Sequence, residues 1–102
     1  MPSEPKPAME VDGEVRDKDD IWELFTASLL ERRDGADELL GIMVELGVKD
    51  ITEQKAFVAM SIEFRYLSQV SLGMTVNIVQ LIHLAQKWGV PLDTIKRMKT
   101  LK

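Results

Sequence analysis

The chain has 102 residues, of which 45% are hydrophobic and 29% are charged, and its formal net charge is −4. This is the length of one domain and the composition of a globular protein. The lack of cysteine in the sequence excludes disulfides, thiolate metal sites and a cysteine nucleophile. A single histidine, His83, leaves acid–base chemistry short of groups, and no apolar run reaches the ~20 residues of a membrane span.

The charge is distributed unevenly along the chain. Residues 1–20 and residues 21–80 each carry a net charge of −4, whereas residues 81–102 carry +4. The first of these segments also holds three of the four prolines and no aromatic residue. Such a segment buries too little apolar surface to offset its ordering entropy. We therefore predict a disordered acidic tail over residues 1–18 and a single helical domain over residues 19–102.

Helix signals dominate the rest of the chain. Asp20 and Asp50 are each followed three residues later by a glutamate, which is the capping-box pattern of a helix start. Glycines end or interrupt each apolar repeat, and Gly47 followed by Val48 is typical of a left-handed helix end. The pattern predicts an all-α fold, a compact bundle of about five helices. Their approximate ranges are 21–33, 36–46, 52–72, 75–88 and 92–100.

The third and fourth of these helices are the candidates for the core. The third has an apolar stripe broad enough to be contacted from two sides, and the fourth is apolar around most of its circumference. No Asp, Glu, Lys or Arg lies between Arg65 and Lys87. This stretch is either core alone or core extended by a homodimer interface through helices 52–72 or 75–88. The large side chains expected to be buried are Trp22, Phe57, Phe64, Leu81 and Trp88.

Residues 81–100 combine a small residue, a glycine and several apolar positions. Ala85 is small enough for two helices to approach closely, and Gly89, four residues later, can take a left-handed turn. The positions expected to face the core are apolar, namely Leu84, Trp88, Val90, Ile95 and Met98. This combination resembles the helix-turn-helix pattern of transcriptional regulators, recombinases and related DNA-binding proteins. The resemblance implies a C-terminal helical hairpin over residues 75–100, covers about a fifth of the chain, and identifies no particular family.

The resemblance also implies a DNA-reading surface on the last helix. Lys96 and Arg97 lie opposite Ile95 and Met98, so we expect both to project outward, where Arg97 could read guanine. The candidate DNA-binding residues are Lys87, Leu92, Asp93, Lys96, Arg97, Lys99, Thr100 and Lys102. On this interpretation the protein is a small transcriptional regulator that binds double-stranded DNA.

A second interpretation needs no nucleic acid. Residues 46–53 repeat the Gly-Val-then-Thr spacing of residues 88–95, but Glu53 stands where the pattern requires a buried residue. A helix–Gly-Val–helix connection is therefore also a general link between helices in this chain. The alternative function is a helical protein-interaction module, an adaptor, anti-activator or inhibitor, whose basic last helix faces an acidic protein partner.

Several other classes of function are not expected. The sequence has no Gly-x-Ser-x-Gly motif and no glycine-rich phosphate loop, so we predict no enzymatic activity, catalytic residue, metal centre or cofactor. The N-terminus lacks the basic and apolar regions of a secretory signal. We therefore expect a cytoplasmic protein, or a nuclear one if the source is eukaryotic, with no membrane association.

Overall fold

Five α-helices and a two-stranded sheet make up the residues that the structure describes. This computed structural model describes residues 6–70 and 78–99. Strands β1 (Ala8–Val11) and β2 (Glu14–Asp17) precede helices α1 (Lys18–Glu31), α2 (Ala36–Leu46), α3 (Ile51–Val70), α4 (Ile78–Trp88) and α5 (Leu92–Met98). The predicted bundle of about five helices is confirmed, but the fold is mainly helical rather than all-α, because residues 8–17 form a two-stranded sheet.

An antiparallel hairpin replaces most of the disordered tail that the composition predicted. β1 pairs with β2 so that Val11 faces Glu14 and Ala8 faces Asp17. The turn is Asp12-Gly13, both with positive φ (53° and 81°), as a two-residue hairpin loop of this kind requires. Met9 is only 4% exposed and joins the core, which ties the hairpin to the domain. Disorder is therefore wrong for residues 8–18, which form the hairpin and the first residue of α1, and residues 1–5 lie outside the described residues.

The ends of the helices follow from their capping residues. The predicted helix start at Asp20 is wrong, because Asp17 caps α1 and the helix begins three residues earlier. The Asp20 amide donates to Asp17 Oδ1 at 2.9 Å, and Asp20 Oδ2 accepts from the Asp17 amide at 3.2 Å. The predicted cap of α3 is confirmed by a 3.1 Å hydrogen bond from the Glu53 amide to Asp50 Oδ2. The predicted left-handed end of α2 at Gly47 is also confirmed.

Helix α3 is the centre of the domain. Its residues 56–60 are five consecutive buried positions, which is possible because α1 packs on one side and α4 on another. Phe57 and Trp88 are buried as predicted, whereas Trp22, Phe64 and Leu81 are half-buried at its edge. α4 is less enclosed than its composition suggested, since Ile78 and Val79 are exposed.

Candidate functional site

The connection between α4 and α5 contains a left-handed glycine at the position that the sequence predicted for it. Gly89 takes a φ of 85°, and the amides of Gly89 and Val90 both donate to the carbonyl of Ala85 at 2.8 Å. Ala85 is fully buried where α4 meets the rest of the bundle, and Val90 and Ile95 are buried beyond the turn. The turn therefore ends α4 and redirects the chain into α5 as expected.

The same type of helix end occurs at α2. There the Val48 amide donates to the carbonyl of Met43 at 3.0 Å, and Val48 is buried after the left-handed Gly47. The Gly47-Val48 and Gly89-Val90 connections therefore end their helices in the same way, with a left-handed glycine followed by a buried valine. The hairpin geometry by itself is consequently compatible with both functions that the sequence left open.

Arg97 differs from the expectation that it projects outward. Its guanidinium turns toward the body of the domain, where Nη1 donates to the carbonyl oxygen of Leu46 and Nη2 donates to Thr94 Oγ1 at 3.1 Å. Its Nε also lies 3.4 Å from Asp93 Oδ2, one turn earlier on α5. The Arg97 side chain remains 43% exposed, but it already contacts three residues, namely Leu46, Thr94 and Asp93. The orphan carbonyls at the end of α2 explain why a guanidinium binds there.

Thr94 extends this arrangement to α3. Its side chain is fully buried, and its hydroxyl donates to Glu53 Oε1 at 3.0 Å. Arg97 and Thr94 therefore connect α5 to the end of α2 and to the first turn of α3. A buried hydroxyl with both a donor and an acceptor partner is a structural contact rather than a free binding group.

Lys87 is also engaged within the domain. Its Nζ lies 2.8 Å and 2.9 Å from the two carboxylate oxygens of Glu63 and 4.9 Å from the centre of the Trp88 ring. The Trp88 Nε1 donates to the same carboxylate at 2.9 Å. The Glu63 side chain is only 13% exposed, so its charge is balanced mainly by Lys87. Lys87 would have to leave this pair in order to bind a phosphate.

The remaining predicted DNA-binding residues divide into two groups. Leu92, Asp93, Lys96 and Lys99 are exposed on α5 and at its end, as predicted. Thr100 and Lys102 lie outside the described residues. The exposed side of α5 thus offers two lysines, one carboxylate and one apolar side chain.

A second surface, which the sequence did not single out, lies around Arg65 on α3. The α1 groove is a cleft of about 210 Å³ lined by Leu24, Phe25, Ser28, Asp34, Gly35, Ala36, Leu39, Ser61, Ile62 and Arg65. The α5 groove is a cleft of about 250 Å³ lined by Glu38, Leu39, Ile42, Phe57, Ser61, Phe64, Arg65, Leu81 and Met98. The two grooves share Leu39, Ser61 and Arg65, so they adjoin along α3.

Both grooves are apolar and open to solvent at their edges. Leu24 in the α1 groove is 44% exposed, and Ile42 in the α5 groove is 37% exposed. Each groove is smaller than the roughly 300–1,000 Å³ of a typical small-molecule site. Their size suits individual apolar side chains better than a cofactor.

The carboxyl group of Asp19 has a pKa below its ordinary value, because the hydrogen bond from Lys55 and the charge of Lys55 lower it. Lys55 Nζ lies 2.9 Å from Asp19 Oδ1 and links α1 to α3. Within residues 6–70 and 78–99, no cluster of three or more His, Asp or Glu side chains is arranged to bind a metal ion. The helices in these ranges are too short or too polar to cross a bilayer.

Comparison with known proteins gives no assignment. No protein-family model matches the chain, and no curated protein or solved structure is significantly similar to it. A fold alone does not specify a function. A function must therefore be inferred from the side chains of α5 and of the two grooves around Arg65.

Proposed function

We propose that this protein is a small helical protein-interaction module, and that the two grooves around Arg65 are its binding surface. The observation that supports this proposal is a pair of adjoining apolar clefts with exposed leucine and isoleucine edges. Leu24 and Ile42 remain accessible to water in a domain that buries a continuous core elsewhere. Apolar grooves between helices are a common recognition surface for a helix of another protein.

The arrangement of cations also favours a protein partner over DNA. Arg97, predicted to read guanine, already contacts Leu46, and Lys87, one of the predicted phosphate contacts, already pairs with Glu63. Specific DNA binding gains much of its affinity from several phosphate contacts. Lys96 and Lys99 are the exposed lysines left for that role on the described part of α5.

Selection of ligands from a displayed library of helical peptides tests this proposal. The immobilised full chain should enrich peptides with an apolar face, and a synthesised binder should shift the amide resonances of residues that line the grooves. Leu24→Lys and Ile42→Lys should each weaken that binder about tenfold or more, since each places a charge in an apolar contact. Failure to enrich any binder, or binders that perturb only residues elsewhere, would contradict the proposal.

DNA binding is the second candidate function. It is favoured by the left-handed Gly89 turn between α4 and α5, together with exposed Leu92, Lys96 and Lys99. A titration with random-sequence and genomic duplexes at low salt is the direct test. For a DNA reader, Lys96→Ala/Lys99→Ala should remove most of the affinity at an unchanged melting temperature, and binding should fall steeply with salt. An absence of binding at tens of micromolar protein would exclude this function.

A further inference from the structure

Arg65 occupies the junction between the two apolar grooves. It lines both the α1 groove and the α5 groove, and it also lines a third cleft beside the hairpin with Met9, Val11 and Tyr66. Its Nη1 donates to the carbonyl oxygen of Asp34 at 2.8 Å, and its Nη2 lies close to Gly35. These contacts hold the guanidinium at the mouth of the grooves.

Arg65 has no carboxylate partner within the part of the chain that the structure describes. Its hydrogen bond goes to a backbone carbonyl, whereas the nearby Asp34 carboxylate lies 3.7 Å from Arg33. The other side chains at the junction are Leu39 and Ser61, which carry no charge. A guanidinium positioned beside apolar surface forms its strongest pairs with carboxylates, because both donors of the fork can be used.

We propose that the partner is an amphipathic helix that carries an aspartate or glutamate on its apolar face, and that this carboxylate pairs with Arg65. This inference depends on the proposed function and adds the chemistry of the ligand. Apolar side chains about one turn before and one turn after the carboxylate would enter the α1 groove and the α5 groove. The arrangement fits a carboxylate between two apolar anchors on one helix face.

The walls of the grooves determine that the ligand is helical rather than extended. They are formed by residues of all five helices, whose backbone groups are bonded within each helix, and by the Asp34-Gly35 connection, where the Asp34 carbonyl already accepts from Arg65. An extended peptide would find no strand edge in these grooves, and its own N–H and C=O groups would lose water without gaining partners. A helix brings its backbone hydrogen bonds with it, so only its side chains need to be matched.

A charge-swap selection tests the inference. The probe is a phage-displayed library of helical peptides with one randomised position at the centre of the apolar face, selected against the full chain and against Arg65→Glu. The native chain should enrich Asp or Glu at that position, and Arg65→Glu should enrich Lys or Arg. Arg65→Gln serves where Arg65→Glu fails to fold, and it should abolish the acidic preference. Circular dichroism and the melting temperature check that each variant is folded.

Affinity measurements then isolate the pair. A selected acidic peptide should bind about tenfold more weakly when its carboxylate is changed to the amide or when Arg65 is changed to Gln, and the two changes together should cost little more than either. Lys49→Gln is the matched control, because Lys49 is an exposed cation that lines neither groove. It should leave binding unchanged, and a loss equal to that of Arg65→Gln would overturn the pairing.

The outcomes separate this inference from the function on which it depends. Groove binders with no acidic preference, or with equal affinity for the native chain and Arg65→Gln, would overturn the inference and leave the interaction module standing. A selection that yields no groove binder at all would contradict both.

Discussion

Arg97 on α5 donates a hydrogen bond to the carbonyl oxygen of Leu46, the last residue of α2, 51 positions earlier in the chain. The contact satisfies a carbonyl that α2 leaves without an intrahelical partner, and it places a cation at the negative end of the helix dipole. It also holds α5 against the domain. Arg97, which the sequence pattern predicts to contact DNA, therefore fixes the short last helix to the domain.

Arg97→Ala should lower the free energy of unfolding by about 1–2 kcal/mol, since it removes charge-assisted hydrogen bonds to Leu46 and Thr94. Lys96→Ala is the matched control on the exposed side of the same helix, and it should change stability by less than about 0.5 kcal/mol. Urea denaturation of both variants measures the difference. Equal stabilities for the two variants would show that Arg97 is free, as a base-reading residue would be.

Glu63→Ala should destabilise the domain by about 1–3 kcal/mol. The change leaves the buried Trp88 Nε1 without its acceptor and removes the partner of Lys87. Glu63→Gln keeps an acceptor for Trp88 and loses only the ion pair, so it should cost less than Glu63→Ala. Thermal denaturation checks the order, and equal losses for the two variants would show that the ion pair dominates and that the Trp88 hydrogen bond contributes little.

Two glycines should respond in opposite directions to alanine. Gly89 has a φ of 85°, so Gly89→Ala should cost about 1–2 kcal/mol through backbone strain. Gly41 lies within α2, and a Cβ built there meets no described atom within 4 Å apart from its chain neighbours and the backbone of α2, so Gly41→Ala should stabilise the domain by about 0.5–1 kcal/mol. Denaturant midpoints of the two variants measure both effects. Destabilisation by Gly41→Ala would reveal a close helix contact that the structure does not show.

Helix positions and caps, which depend on residues a few positions apart, could largely be predicted from the sequence. Contacts between residues far apart in the chain could not. The helix positions and the cap at Asp50 follow from neighbours a few residues apart, and they were predicted. The hairpin could not be predicted with the same ease, because its short Asp12-Gly13 signal between Val11 and Val15 lies in an acidic, proline-rich segment whose composition is typical of disorder. Helical spacing alone predicts that the Arg97 side chain projects into solvent. Nothing in the sequence indicates that it lies beside Leu46.

The grooves could not be predicted for the same reason. The residues that line them come from all five helices, and both grooves include Arg65. The sequence shows only that Arg65 is the last charged residue before a long uncharged stretch. The sequence does contain one signal for this surface. Arg65 follows Ile62 and Phe64, which belong to the broad apolar stripe of this helix, so a cation beside apolar side chains could be expected there. Its position at the meeting of two clefts is a property of packing between elements.

The Asp19–Lys55 pair should make stability depend on pH at the acidic end. The Lys55 hydrogen bond and charge lower the pKa of Asp19 in the folded state, so its contribution is present above the unfolded pKa, near 3.8, and is lost as pH falls through the lower folded value. Asp19→Asn should therefore destabilise the domain near neutral pH and lose this effect at low pH. In a Lys55→Gln background the same change should have little pH-dependent effect. Urea denaturation over a pH series measures this, and a pH-independent difference would contradict it.

Self-association through α3 or α4 remains a prediction from the uncharged stretch between Arg65 and Lys87. The exposed Val70, Ile78 and Val79 lie at neighbouring ends of these two helices in the sequence and give such an interface apolar surface. Sedimentation velocity at high micromolar concentration should show a dimer, and Val70→Lys or Ile78→Lys should shift it to monomer without lowering the melting temperature. A monomer for the native chain would contradict the prediction. It would also count against DNA reading, because helix-turn-helix proteins commonly pair to bind two half-sites, whereas the Arg65 grooves need only one copy.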